Sequence, residues 1–168
     1  MKKVLSVIAS IIMILLMCSC QQNTDINTKK YHSNKTINEL INNFNKVALE
    51  NIEITQEMVS KGAYNNNANV SVNGVWVTIY DSSNGLFVDY QLEASDDTSI
   101  LPLFYGFVKA TNSNISDDEI SSVWNELQTN NYQNYDYYNF DKFQCTYSKQ
   151  KLNDGNYRYT VKTGYKNK

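Results

Sequence analysis

The sequence has few of the residues that build common functional sites. Its 168 residues include one histidine (His32), one arginine (Arg158) and three cysteines (Cys18, Cys20 and Cys145). No metal-ligand spacing is visible among them, and the pattern differs from that of small secreted domains that depend on disulfides. The charges, 15 basic and 17 acidic residues, form no basic stripe of the kind that nucleic-acid binders carry. We therefore expect no cofactor, no metal and no nucleic-acid partner.

The amino terminus carries the clearest targeting signal. Met1-Lys2-Lys3 is a short basic head, and an uncharged run from Val4 to Met17 follows it, apolar except for two serines. This run is too short to span a bilayer as a stable helix but suits a secretory signal. The lysine pair favours the cytoplasmic side, so we expect the rest of the chain to be exported.

The end of this run resembles the lipobox of bacterial lipoproteins, in which apolar residues and a small residue precede a cysteine. The matching stretch is Leu16-Met17-Cys18-Ser19-Cys20, with Met17 standing where leucine is usual. The resemblance implies that signal peptidase II cuts between Ser19 and Cys20, and that Cys20 carries a thioether-linked diacylglycerol. Cys18 is a rival acceptor, but its use would require cleavage after the bulky Met17. The alternatives are an uncleaved anchor and an ordinary signal peptide.

A lipid-modified Cys20 would fix both the location and the organisation of the chain. Two acyl chains give stable anchoring, so the implied location is the extracytoplasmic face of the cell membrane. Residues 1–19 would be the signal peptide, residues 20–34 a polar flexible tether, and residues 35–168 a single domain. Without Lys2 and Lys3, 13 basic residues face 17 acidic ones, a net charge of −4. Cys145 would then be the only thiol, so no intramolecular disulfide could form.

The first half of the domain predicts a helix followed by three strands. A capping box at Thr36-Ile37-Asn38-Glu39 begins an amphipathic helix, and Thr55 to Lys61 predicts a further helical turn or two. Asn73-Gly74 is a strong hairpin signal that puts Val72 opposite Val75 and Val70 opposite Val77. Apolar residues then alternate from Leu86 to Leu92, which completes a three-stranded meander.

The second half predicts two helices and a hairpin. Ser99 to Thr111 is a mostly buried helix that Gly106 weakens, and a second capping box at Ser116-Asp117-Asp118-Glu119 starts the next helix. Apolar and aromatic residues alternate over 143–147 and 157–161, on both sides of a turn at 153–156. The predicted fold class is α+β, with an antiparallel sheet of about five strands, a meander plus a hairpin, and helices packed on one face.

The residues that could carry catalysis have structural explanations. Asp117, Asp118 and Glu119 resemble an acidic cluster, but carboxylates in the first turn of a helix complement its dipole. Cys145 alternates with Phe143 and Tyr147 and has no histidine as a base, so we interpret it as a small core residue. No phosphate loop or catalytic triad is present. The sequence therefore predicts no catalytic residues, and an enzyme acting through carboxylates ranks only third.

One segment is not fully explained by folding. Between Asn130 and Asn139 the chain is polar and carries four tyrosines: Tyr132, Tyr135, Tyr137 and Tyr138. Tyrosine has a large rigid face with a polar tip and is enriched in binding surfaces. These rings could equally fold back over the sheet. The leading hypothesis is a non-catalytic lipoprotein whose domain binds another envelope protein, and the alternative is an envelope-glycan-binding module that uses the tyrosines.

Overall fold

The computed structural model describes residues 35–49, 51–62, 66–81, 87–130 and 138–166. The signal segment, Cys20 and the tether lie outside the described residues. Within these ranges three α-helices and one antiparallel sheet of seven strands form an α+β fold. The helices are α1 (Lys35–Val47), α2 (Ile100–Thr111) and α3 (Asp117–Asn130). The strands are β1 (Val59–Lys61), β2 (Asn67–Val72), β3 (Val75–Asp81), β4 (Phe87–Ala94), β5 (Tyr138–Phe140), β6 (Phe143–Lys151) and β7 (Tyr157–Lys166).

The sheet joins the predicted meander to the predicted hairpin. Its strand order is β1-β2-β3-β4-β7-β6-β5, so β7 lies between β4 and β6. Val70 pairs with Val77 and Val72 pairs with Val75, as predicted. Asn73 and Gly74 have φ values of 49° and 80°, which is the left-handed backbone that this tight turn requires. The β6–β7 hairpin is confirmed as well, with Tyr147 opposite Val161.

The expected count of about five strands is wrong, because two strands of three residues flank the sheet. Thr55 to Lys61 was predicted to be helical, but only Gln56–Met58 forms a 3₁₀ turn, and β1 follows it directly. β5 falls at the end of the tyrosine-rich segment, for which the sequence predicts no strand. Strands this short contain too few residues to display an alternating pattern.

The helices pack on the sheet face that bears the apolar side chains. Phe107 of α2 lies between two aromatic rings, with its centroid 4.5 Å from that of Phe44 in α1 and 5.0 Å from that of Tyr90 in β4. In α3, the Trp124 ring lies 6.0 Å from that of Tyr147 in β6. At Gly106, Phe44 of α1 lies close to the α2 backbone, since a Cβ there would lie 2.5 Å from Phe44 Cε2.

The helix starts agree only in part with the predicted capping boxes. Helix α1 begins at Lys35, so Thr36 lies inside its first turn, and Glu39 forms an ion pair with Lys35 at 3.5 Å. At α3 the Ser116 Oγ accepts a hydrogen bond from the Glu119 backbone amide at 3.2 Å, as a cap should. Near α2, the Asp96 carboxylate accepts a hydrogen bond from the Ser99 backbone amide at 2.8 Å.

Candidate ligand-binding face

The sheet face opposite the helices is polar and open to solvent. Because side chains alternate along a strand, the residues between the buried ones point to this face, which we call the open face. One row across it runs through Ser71, Trp76, Glu93, Thr160 and Ser148 on β2, β3, β4, β7 and β6. The next row contains Asn69, Thr78, Gln91, Lys162 and Thr146, of which Thr78 is buried beneath its neighbours.

Two large aromatic side chains stand out on this polar face. Trp76 and Tyr80 on β3 are 47% and 38% exposed. They are four positions apart along the strand, a distance of about 13 Å. Large aromatic rings usually contribute to a core or to a contact surface. These two contribute to no core, so they mark the open face as a candidate contact surface.

Trp76 borders a shallow groove at one end of the open face. The groove has a volume of about 250 Å³ and is lined by residues of β3, β4, β7 and the β6–β7 turn: Trp76, Glu93, Ala94, Ser95, Leu152, Tyr157 and Arg158. Trp76 is on β3 and Arg158 is on β7, and only β4 lies between these two strands. The strands β3 and β7 are therefore about 10 Å apart. Ala94 and Ser95, at the end of β4, line the groove between these two strands.

The polar groups of the groove have opposite charges. Arg158 is exposed, and within the part of the chain that the structure describes, the ion pairs recorded involve other cations, Lys35 and Lys109. The Glu93 carboxylate is half-buried and accepts a hydrogen bond from the Gln91 side-chain amide. The groove therefore offers one guanidinium as a donor and one oriented carboxylate as an acceptor.

The Tyr157 ring lies beside Tyr159 on the helix side of β7, where a neighbouring lysine contacts both rings. The Lys149 ammonium lies 4.5 Å from the Tyr157 ring centroid and 5.2 Å from that of Tyr159. A hydrogen bond to Tyr159 raises the pKa of Lys149, so this ammonium stays charged at neutral pH. A cation over an aromatic face is attracted by the ring quadrupole. Tyr157 is 40% exposed and borders the groove at the start of β7, with its ring on the face opposite to Trp76 and Arg158.

Of the predicted tyrosine surface, only Tyr138 can be assessed. Tyr132, Tyr135 and Tyr137 lie outside the described residues. Tyr138 is half-buried in β5, opposite Cys145, and its ring stacks near that of Phe140 with centroids 6.3 Å apart. It packs against the core on the helix side of the sheet, away from the open face.

The acidic cluster and Cys145 have structural roles. Lys109 forms an ion pair with Asp117 at 2.8 Å, and its hydrogen bond holds the pKa of Asp117 below the usual value. Cys145 is fully buried, its Sγ donates to Thr163 Oγ1 at 3.4 Å, and burial raises its pKa to about 12. Across the described ranges, no group of three or more histidine, cysteine, aspartate or glutamate side chains is placed to hold a metal ion. None of the helices described here is long and apolar enough to cross a membrane.

Sequence reasoning missed Trp76 and Arg158, although a signal for both was present. The alternation that directs Val75 and Val77 to the core directs Trp76 to the other face, and Arg158 likewise alternates with Tyr157 and Tyr159. The adjacency of β3, β4 and β7, which brings these residues to one groove, has no counterpart in the local pattern. The chain matches no protein-family model, no curated protein and no solved structure.

Proposed function

We propose that this protein is a non-catalytic lipoprotein, anchored by an acylated Cys20 on the extracytoplasmic face of the cell membrane, whose domain binds an envelope glycan through the open face. The observation that carries the proposal is the isolation of Trp76 and Tyr80 on a polar sheet face. This surface differs from the tyrosine-rich segment that the sequence suggested.

A sugar ring has an apolar face and a polar rim, and the open face offers partners for both. An indole or phenol ring can stack on the apolar side of the sugar. Around Trp76, the carboxylate of Glu93 and the hydroxyls of Ser71 and Thr160 are the kinds of groups that bond sugar hydroxyls. A stable protein interface usually has an apolar core, whereas the cross-strand neighbours of both rings here are polar: Ser71 and Glu93 beside Trp76, and Asn67 and Asp89 beside Tyr80.

An envelope protein is the second candidate partner, and one observation favours it. Trp76, Tyr157 and Arg158 line the same groove, and tryptophan, tyrosine and arginine are the residue types that dominate binding energy at protein interfaces. This candidate corresponds to the leading hypothesis from the sequence. It differs from the glycan proposal in requiring no affinity for the cell wall.

Co-sedimentation with purified cell-wall sacculi tests the proposal. We expect the mature chain, from residue 20 and with Cys20→Ser to prevent acylation, to sediment with sacculi. The Trp76→Ala variant should lose most of this binding. Leu49→Ala is a matched control, since Leu49 is also 47% exposed but lies after α1. A Tyr135→Ala, Tyr137→Ala double variant tests the tyrosine-rich segment instead.

The possible outcomes separate the candidates. If Trp76→Ala reduces sedimentation and the control does not, the open face binds wall glycan. If only the double tyrosine variant loses binding, the tyrosine-rich segment is the site and the open face is not. A folded chain that does not sediment contradicts the glycan proposal and favours a protein partner.

The anchor is tested independently of the ligand. In cells, Cys20→Ala should move the protein from the membrane fraction to the soluble fraction, because neither acyl chain can then be attached. A variant that remains with the membrane would contradict lipid anchoring through Cys20.

A further inference from the structure

The groove beside Trp76 has features that favour one chemical class of sugar over glycans in general. With a volume of about 250 Å³, it lies just below the range of about 300–1,000 Å³ usual for small-molecule sites. Its open side and its width suit a single ring lying between β3 and β7. It is too small to enclose a longer segment of ligand.

Arg158 is a cation available to an external anion. It is the only arginine in the chain, it is exposed, and the two ion pairs recorded for the described residues involve other side chains. A guanidinium presents a planar fork of donors that fits a carboxylate with two parallel hydrogen bonds. An arginine beside an aromatic wall is therefore well placed to hold a ligand carboxylate.

Glu93 limits how much negative charge the ligand can carry. It lies directly across from Trp76 in the β3–β4 register, and its hydrogen bond from Gln91 orients the carboxylate. A negative charge next to Glu93 would be repelled, whereas a sugar hydroxyl could donate to it. The ligand should therefore carry one anionic group on the Arg158 side and neutral hydroxyls on the Glu93 side.

We propose that this groove binds a carboxylate-bearing sugar residue, with the ring stacked on Trp76, the carboxylate on Arg158 and ring hydroxyls on Glu93. This inference rests on the proposed glycan-binding function and adds the chemical class of the sugar.

The test compares two sugars that differ by the anionic group. N-acetylmuramic acid is N-acetylglucosamine with an added lactyl ether that carries a carboxylate. Binding is followed through the indole N–H signals of the mature Cys20→Ser chain in ¹H–¹⁵N spectra. The chain has two tryptophans; Trp76→Phe assigns the Trp76 signal, and Trp124, 5% exposed, is the internal reference.

We expect N-acetylmuramic acid to shift the Trp76 signal and to bind about tenfold more tightly than N-acetylglucosamine, the effect of one charge-assisted hydrogen-bonded pair. Arg158→Gln should abolish this difference, and Arg158→Lys should restore only part of it. Lys35→Gln is the charge-matched control, since the Lys35 side chain is 89% exposed on α1. The Lys35→Gln variant should prefer N-acetylmuramic acid over N-acetylglucosamine as strongly as the unmodified chain does.

The failures of the two proposals can be told apart. Equal binding of both sugars, or a preference that survives Arg158→Gln, would overturn the carboxylate inference while Trp76-dependent sedimentation with sacculi still supports glycan binding. A Trp76 signal that neither sugar moves, with sacculi binding intact, would also overturn the inference. Absence of both sugar binding and sacculi binding would overturn the inference and the proposed function together.

Discussion

At the scale of single residues, Gly106 illustrates how a contact can outweigh a propensity. Glycine in a helix costs roughly 0.5–1 kcal/mol relative to alanine, and from the sequence it was expected to weaken α2. In the structure, Gly106 is buried where Phe44 of α1 packs against the helix backbone. The lost helix propensity is therefore the cost of a close approach between two helices. Local sequence shows the glycine, but it does not show which ring lies above it.

Gly106→Ala should destabilise the protein. The added Cβ would lie 2.5 Å from Phe44 Cε2, and overpacking of a core typically costs about 1–3 kcal/mol, more than the alanine gains. We expect the free energy of unfolding, measured in urea, to fall by about 1–2 kcal/mol. Phe44→Leu should relieve the overlap. The double variant should therefore lose less stability than the sum of the losses of the two single variants. A stabilising Gly106→Ala would mean that the two helices move apart freely.

At the scale of elements, the start of α3 and the long strands could be predicted, and the start of α1 and the shortest strands could not. The hairpin around Asn73-Gly74 has the expected register because turn type and valine alternation agree. The strands β1 and β5 have three residues each, too few for alternation to be distinguished from a loop or a helical turn. For the candidate site, alternation predicts that Trp76 points away from the core. The groove beside Trp76 also contains residues of other strands, and alternation along one strand does not identify them.

The start of α3 gives a test of one predicted cap. Ser116→Ala removes the oxygen that accepts from the Glu119 amide at 3.2 Å, and loss of such a cap typically costs about 1 kcal/mol of stability. Thermal or urea unfolding would measure the change. Ser122→Ala is the matched control, since Ser122 is exposed inside the same helix, where alanine is the better helix former. Equal effects of the two substitutions would contradict a capping role for Ser116.

At the scale of the whole molecule, folding keeps several buried thiol and phenol groups protonated up to a higher pH than in the unfolded chain. Burial raises the pKa of Cys145 from 9.0 to about 12 and that of Tyr90 well above its ordinary value of 10.0. Burial also raises the pKa of Tyr147 to about 12. Above pH 9 the unfolded chain therefore binds fewer protons than the folded one, so stability decreases as the pH rises.

The contribution of these groups to the free energy of unfolding is fully present below pH 9, and we expect it to decrease as the pH rises toward 12. For Cys145 alone this decrease amounts to roughly 1 kcal/mol between pH 8 and pH 10. Urea unfolding of the Cys20→Ser chain across this range should show the decrease. Cys145→Ala should flatten it, whatever that substitution does to stability at pH 8. Parallel pH profiles for the two proteins would show that the buried thiol does not cause the effect.

The order of the strands also determines when the sheet can be completed. Strand β7 pairs with β4 on one side and with β6 on the other, so it alone connects the meander to the β5–β6 half of the sheet. A chain that enters the extracytoplasmic space amino terminus first presents β7 last. Until residues 157–166 have emerged, the meander has an unpaired edge and the central pairing of the sheet is absent. In the export that we propose, the native fold would therefore be reached only after residues 157–166 have emerged.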